Sequence, residues 1–444
     1  MAGYDTIPNG ANIKVDKFTL SISDEEISDF KTLLRLSKLA PQTYENLYTD
    51  DGEFGVSHEW MSKAKEYWLN EYDWRTVETY NNSFPNYIAH IKDDDGEPFR
   101  IHFAALFSNR ENAIPLLYMH GWPGSHFEFL DILTLYREKY SSPEDLPYHI
   151  IAVSLPGWTL SSGPPLTKDF GMEDIGRIMN KLMLGLGFGS GYVLQGGDIG
   201  SFTAAIMSGT YDECKVLLPP QTVGFSTEQR LNPSDNFAAS STKPAGLDET
   251  QYTEEEKIGM ETRAKAFYTT GNAYAREHAT RPATIGFALS ASPLALLACP
   301  RREQDPGTTG NNPKTHALKS THRIGEKFIE WTDETPPLKN ILDSVTLYWF
   351  TQSFPRCIYA YREAAAQGLP HGNPKYANDK PVAYSWFPKE VFPVPKAWIL
   401  AQGLNVVLFR RHEIGGHFAV MEKPREMMQD MEDFLEKIGW PLKK

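Results

Sequence analysis

The sequence predicts an α/β architecture, a parallel sheet with helices on both faces and a mostly helical insertion late in the chain. Three observations carry this. First, continuous apolar runs of strand length alternate with amphipathic stretches from about residue 98. Second, each run ends in a loop full of turn residues: His120-Gly121-Trp122-Pro123-Gly124-Ser125, Leu155-Pro156-Gly157-Trp158 and Gln195-Gly196-Gly197-Asp198-Ile199-Gly200-Ser201. Third, the alternation stops after Leu217-Leu218-Pro219-Pro220 and resumes only near the C-terminus.

In chain order, Phe18-Thr19-Leu20-Ser21-Ile22 alternates as a strand does. Ser23 or Asp24 can cap a helix running on through Leu34. Trp60, Ala64, Tyr67, Trp68 and Tyr72 recur at helical spacing and make an aromatic face, expected to pack against the next unit. Tyr87–Ile91 and Phe99–Phe103, joined by Asp93-Asp94-Asp95-Gly96, read as a hairpin. Pro115–Met119 and His149–Val153 read as fully buried strands, with helices over about 127–136 and 172–184. Residues 225–370 are mostly helical in pattern, and their position between strands predicts a lid over the sheet edge. Ala397–Leu400 and Val406–Phe409 read as the last strands. The final helix starts near Pro424 and stops before Gly439 and Pro441. The resulting organisation is an N-terminal segment (1–97), a first core part (98–224), the lid (225–370) and a second core part (371–444).

Composition narrows the function. At 444 residues the chain exceeds one small core, so two or three structural units are expected. Hydrophobic content of 41% and charged content of 23% describe a soluble globular protein. A net charge of −13 argues against a nucleic-acid partner, which calls for clustered Lys and Arg. Cys214, Cys299 and Cys357 are odd in number and lack metal-site or disulfide-framework spacing. The N-terminus does not read as a signal peptide, and no run approaches the roughly 18 apolar residues of a membrane helix. A soluble, cytoplasmic protein without a membrane span is expected.

The stretch Gly196-Gly197-Asp198-Ile199-Gly200 lies between a strand-like Tyr192-Val193-Leu194 and a helix-like Phe202–Met207. That is the context of a nucleophile elbow, with an aspartate where G-x-S-x-G has serine. An apex carboxylate can attack an electrophilic carbon and form an ester with its own side chain. A helix-capping aspartate reads equally well on this stretch alone. His417, on the glycine-rich loop Gly415-Gly416-His417-Phe418, follows the last strand and can reach the sheet edge as a base. Its acid partner should lie between a late strand and the histidine. Glu390, in Phe387-Pro388-Lys389-Glu390, leads, and Glu413 is the reserve.

Four stretches together resemble the epoxide hydrolase family of α/β-hydrolases, in its microsomal-type and fungal branch. They are the His120–Ser125 loop, Gly196–Ser201, Phe387–Glu390 and Gly415-Gly416-His417-Phe418-Ala419. The resemblance covers nearly the whole chain. It implies an α/β-hydrolase fold with a mostly helical lid, and a wrapping N-terminal segment without the extra apolar helix of membrane-anchored members. It implies a triad of Asp198, Glu390 and His417, with two lid tyrosines on the epoxide oxygen. The matching positions are Tyr274, in Ala273-Tyr274-Ala275-Arg276-Glu277, and Tyr361, in Ala360-Tyr361-Arg362-Glu363; Tyr359 is the near neighbour that competes with Tyr361. The polar loop at about 300–323 is longer than the family's usual lid loop.

The expected chemistry is conversion of a small apolar epoxide and water to a vicinal diol, with no metal or organic cofactor. The oxyanion hole is expected from the backbone N–H groups of Trp122 and Ile199. Relatives with such wrapping segments are often homodimers. Three alternatives stand beside this reading: a haloalkane-type dehalogenase, a biosynthetic epoxide-opening isomerase or cyclase, and a binding protein that kept the fold.

Overall fold

A computed structural model describes residues 3–47, 55–218, 246–298, 324–368 and 370–439. The polar loop at 300–323 and the start of the expected lid lie outside them. Among the described residues, nine strands form one sheet: β1 (Val15–Phe18), β2 (Asn86–Lys92), β3 (Pro98–Leu106), β4 (Ile114–Met119), β5 (Tyr148–Val153), β6 (Tyr192–Gly196), β7 (Cys214–Leu218), β8 (Val382–Trp386) and β9 (Val406–Arg411). Their order is β1-β2-β3-β5-β4-β6-β7-β8-β9. The pairs from β1 through β5 are antiparallel, and every pair from β5 to β9 is parallel. The sheet is therefore mixed, and its first strands come from the N-terminal segment.

The parallel strands β4, β5 and β6 are buried because helices cover both faces. Alternate side chains divide between two cores, as the two-residue period of a strand requires. Leu117, Met119, Ile151 and Val153 pack with the helices Met172–Gly185 and Ile199–Thr210. Leu116, Tyr118, Ile150 and Ala152 pack with Leu130–Lys139 and Pro424–Ile438 on the other face.

The helix Asp24–Leu36 begins where expected: Ser23 accepts from the Glu26 N–H, and Glu26 returns the bond in a capping box. The aromatic face of His58–Asn70 meets the lid helix Leu338–Phe350. Trp68 Nε1 donates to Thr346 Oγ1 at 3.1 Å, and Phe30 and Trp74 both pack on Phe350. The described lid is helical, and Ala273–Thr280 and Ala360–Gln367 lie side by side in it.

Two strand expectations need correction, and one strand was not expected. The first strand ends at Phe18. Beyond it the backbone is bonded by side chains instead: Leu20 by both ends of Asn82, and the Ile22 N–H by Glu78 Oε1. The run Ala397–Leu400 is not a strand; it lies in the helix Lys396–Ala401, begun after Pro395. A short apolar run has no periodicity that separates helix from strand. The strand that resumes the sheet is β8, earlier in the chain, and all five of its residues are buried.

Candidate active site

Strands β4 and β6 are neighbours, with Met119 opposite Gly196. Their C-terminal loops therefore leave the sheet side by side, at the edge where α/β sheets place their sites. Asp198 sits directly after β6 with φ 49° and ψ −126°, a conformation rarely adopted by residues with a Cβ. Its side chain makes no capping hydrogen bond to the helix Ile199–Thr210. The carboxylate points back at the β4 loop, where the Trp122 N–H donates to Oδ1 at 2.7 Å.

Two glycines make this approach feasible. A Cβ on Gly200 would stand 2.2 Å from Met119 O, so glycine lets the helix start against β4. A Cβ on Gly121 would stand 2.2 Å from Asp198 Oδ1, so the loop can close around the carboxylate. His120 secures the same loop. Its Nδ1 bonds Gly121 O at 2.9 Å, and its Nε2 accepts from the Leu155 N–H at 3.2 Å. Burial lowers its pKa to about 4, so this imidazole is neutral and structural. Of the two expected oxyanion donors, Trp122 is in contact. Ile199 is the first residue of its helix, and its N–H makes no bond with the carboxylate among the described residues.

His417 stands on the facing side. Nδ1 is 2.7 Å from Glu390 Oε1, and Nε2 is 3.7 Å from Asp198 Oδ2. The first distance is a hydrogen bond; the second is too long for one. Glu390 is only 2% exposed, and its Oε1 also accepts from the Val391 N–H at 2.8 Å, which fixes the carboxylate. Glu413, the reserve, is exposed. Burial works against a charged His417, but the Glu390 and Asp198 carboxylates outweigh it and raise the pKa.

Tyr274 and Tyr361 come together above this group, from the helices Ala273–Thr280 and Ala360–Gln367. Their rings are 5.7 Å apart at 81°. Tyr274 stacks on Trp122 at 4.9 Å, and Tyr361 meets the same indole edge-on at 6.0 Å. Burial, followed by neighbouring charge including that of Asp198, pushes both phenols well above their ordinary pKa. They remain protonated donors at neutral pH. The Tyr361 hydroxyl is buried and, among the described residues, makes no hydrogen bond of ordinary geometry. Tyr359 is different: its hydroxyl donates to Pro156 O at 2.7 Å. The Arg-Glu that follows Tyr361 fixes the helix. Arg362 pairs with Asp169, and Glu363 accepts from the Met172 N–H at the start of Met172–Gly185.

Two groups here are absent from the sequence-based expectations, the half-buried Glu128 and the buried His278. Glu128 lies behind the β4 loop and is pushed up to about 8, first by burial; the His417 charge opposes that shift and the Asp198 charge adds to it. His278 packs against Trp122, Tyr274 and Tyr361. Its position one helical turn after Tyr274 is a usable signal. Glu128 follows Ser125 on an apparently ordinary helix start, which gives no sign of burial. A groove of about 780 Å³ between Asp24–Leu36, His58–Asn70 and Pro293–Leu297 is lined by none of these groups and is not their substrate cavity.

The chain matches known proteins over nearly its whole length. Residues 15–129 match the family described as epoxide hydrolase N terminus, and residues 114–220 match the alpha/beta hydrolase fold. A Dothistroma septosporum protein of the epoxide hydrolase group is 40% identical over 439 residues, covering 98% of this chain and 93% of its own. The solved Aspergillus niger epoxide hydrolase superposes with a TM-score of 0.82 at 43% identity, over 98% of this chain and 99% of that one. The juvenile hormone epoxide hydrolase of Bombyx mori shares the fold, with a TM-score of 0.75 at 20% identity over 97% of this chain and 96% of its own. Among the described residues, no helix is long and apolar enough to cross a membrane. The chain belongs to the epoxide hydrolase family of α/β-hydrolases.

Proposed function

We propose that this protein hydrolyses a small epoxide to a vicinal diol through an ester on Asp198. The observation that carries the mechanism is the placement of the Asp198 carboxylate. Oδ1 is held by the Trp122 N–H, while Oδ2 faces His417 without being bonded to it.

Oδ2 attacks a ring carbon, and the C–O bond of the epoxide breaks. The departing oxygen takes a proton from the Tyr274–Tyr361 pair, leaving a hydroxy-ester and a phenolate. Protonated, desolvated phenols are suited to this because they donate where charge develops. Oδ1 becomes the ester carbonyl oxygen, already at a backbone donor. Esterification removes the negative charge of Asp198, one of the two carboxylates that hold His417 protonated. With its pKa lowered, the imidazolium gives its proton to the phenolate and stands as a neutral base, oriented by Glu390. It takes a proton from water as the oxygen attacks the ester carbonyl. The tetrahedral intermediate expels the diol alkoxide, which recovers that proton from His417. The freed carboxylic acid of Asp198 gives its proton to His417, which restores the starting carboxylate and imidazolium, and atoms and charge balance.

The site favours an epoxide over an alkyl halide because the groups above Asp198 are paired phenols, which can both bind an oxygen and protonate it. Incubation with styrene oxide and bulkier epoxides should give diol. Halide release from alkyl halides, with no epoxide turned over, would transfer the assignment to a dehalogenase. In a His417→Gln variant, intact-mass measurement after mixing with styrene oxide should show an adduct of one epoxide mass on Asp198.

A further inference from the structure

Glu422 takes no part in the chemistry just described, yet it is built into the loop that carries the base. That loop owes its shape to bonds with the lid. The Gly415 N–H donates to Asp333 Oδ2 at 2.9 Å, and the His417 N–H donates to Trp331 O at 2.7 Å. The Gly416 N–H donates to Glu422 Oε2 at 3.1 Å, and the Phe418 N–H to Glu422 Oε1 at 3.0 Å. Oε2 also accepts the Asp333 N–H, at 2.7 Å. One carboxylate oxygen thus joins the lid to the loop, and the other oxygen holds the residue after the base. The fit is close: a Cβ on Gly416 would stand 2.5 Å from Trp331 O. The Trp331 indole packs edge-on against the His417 ring at 4.7 Å.

None of these bonds reaches the nucleophile. Asp198 and the Trp122 N–H hang from β6 and β4, on the other side of the site. We propose that Glu422 is a positioning residue for ester hydrolysis. It clamps lid residues 331–333 onto the His417 loop, fixing the imidazole that activates water, and leaves ring opening to Asp198 and the Tyr274–Tyr361 pair, which it does not bond. This rests on the assignment of His417 as the base.

The test separates the two half-reactions in the full-length protein. Glu422→Gln keeps the size but turns one acceptor oxygen into an amide facing an N–H donor. With enzyme in excess over styrene oxide, quenched samples give the ester by intact mass and the diol by chromatography. Ring opening should stay within about threefold of the parent, while ester hydrolysis slows by roughly tenfold or more, so the ester accumulates. Equal slowing of both steps would reduce Glu422 to a fold-supporting residue, and no slowing would remove it from catalysis; either overturns the proposal. If Glu422→Gln neither folds by circular dichroism nor opens the ring, Asp333→Asn decides, since it weakens the same clamp at the Gly415 N–H. There, a slower hydrolysis with intact ring opening supports the clamp, and parallel loss overturns it. Diol formed by the parent with no ester in either the parent or His417→Gln would instead overturn the His417 assignment, and the Glu422 role with it.

Discussion

The two sides of the site are built differently. Asp198 and the Trp122 N–H are placed by backbone: adjacent parallel strands, a positive φ and glycines that admit close approach. His417 and Glu390 are placed by hydrogen bonds between loops, several of them to the lid. Lid residues touch the acid side as well, since Arg263 Nε donates to Glu390 O at 2.9 Å. The difference separates the two reacting side chains by their support. On the proposed mechanism the attacking carboxylate is held by the rigid sheet edge, facing phenols carried on lid helices, whereas the base that activates water is seated by lid residues 331–333.

The sharpest break in that comparison is loss of the nucleophile itself. Asp198→Ala should lower kcat by roughly 10⁴–10⁶, the range for removal of a catalytic nucleophile, with no covalent adduct by mass spectrometry. Next come the phenols. Tyr361→Phe should cost about 10²–10³ in the rate of ring opening, and the double change with Tyr274→Phe more, because each donor is worth about 3 kcal/mol. Tyr359→Phe is the control: its hydroxyl serves Pro156 O, so the rate should hold while stability falls by about 1 kcal/mol in urea unfolding. Equal effects at Tyr359 and Tyr361 would contradict the distinction between them.

On the other side, Glu390→Gln should act chiefly on ester hydrolysis, slowing it by roughly 10²-fold and leaving ring opening nearly unchanged. A variant that slows both steps equally would erase the division of labour.

The smallest effect concerns Glu128. Its pKa is raised to about 8 in the folded state, from an ordinary value near 4.5. The folded form therefore keeps a proton that the unfolded chain has lost between those values. Stability contributed by this group should fall as pH rises from about 4.5 to about 8 and then level off. Ser125, Tyr348, Asp198 and His417 surround or influence the group. Glu128→Gln has no charge to bury, so its unfolding midpoint should gain on the parent's across that window. A difference that does not change with pH would show that Glu128 ionises freely.

Much of this was legible in the sequence because the governing constraints are local. Gly200 and Gly121 are glycines because a Cβ has no room, and the elbow pattern records that directly. The Gly415-Gly416-His417 loop is equally readable. The Tyr-Arg-Glu context in sequence already favours Tyr361 over Tyr359, and the fold adds that Pro156 O engages the Tyr359 hydroxyl. Val406–Phe409 reads correctly as a strand, and the other late expectation fails for a physical reason. Ala397–Leu400 and Val382–Trp386 are both short and apolar, and only pairing with β7 and β9 makes the second a strand. The clamp by Glu422 was invisible because its partners are backbone groups up to 89 residues away.

The central claim is that water attacks the Asp198 ester carbonyl and never the epoxide. A single turnover in ¹⁸O-water, with enzyme in excess, tests it directly. The ester route predicts that the label enters the Asp198 carboxylate, found by mass spectrometry of the peptide that carries it, and that the first diol formed is unlabelled. Label in the first diol, with an unlabelled Asp198, would mean direct attack of water on the ring and would contradict the account.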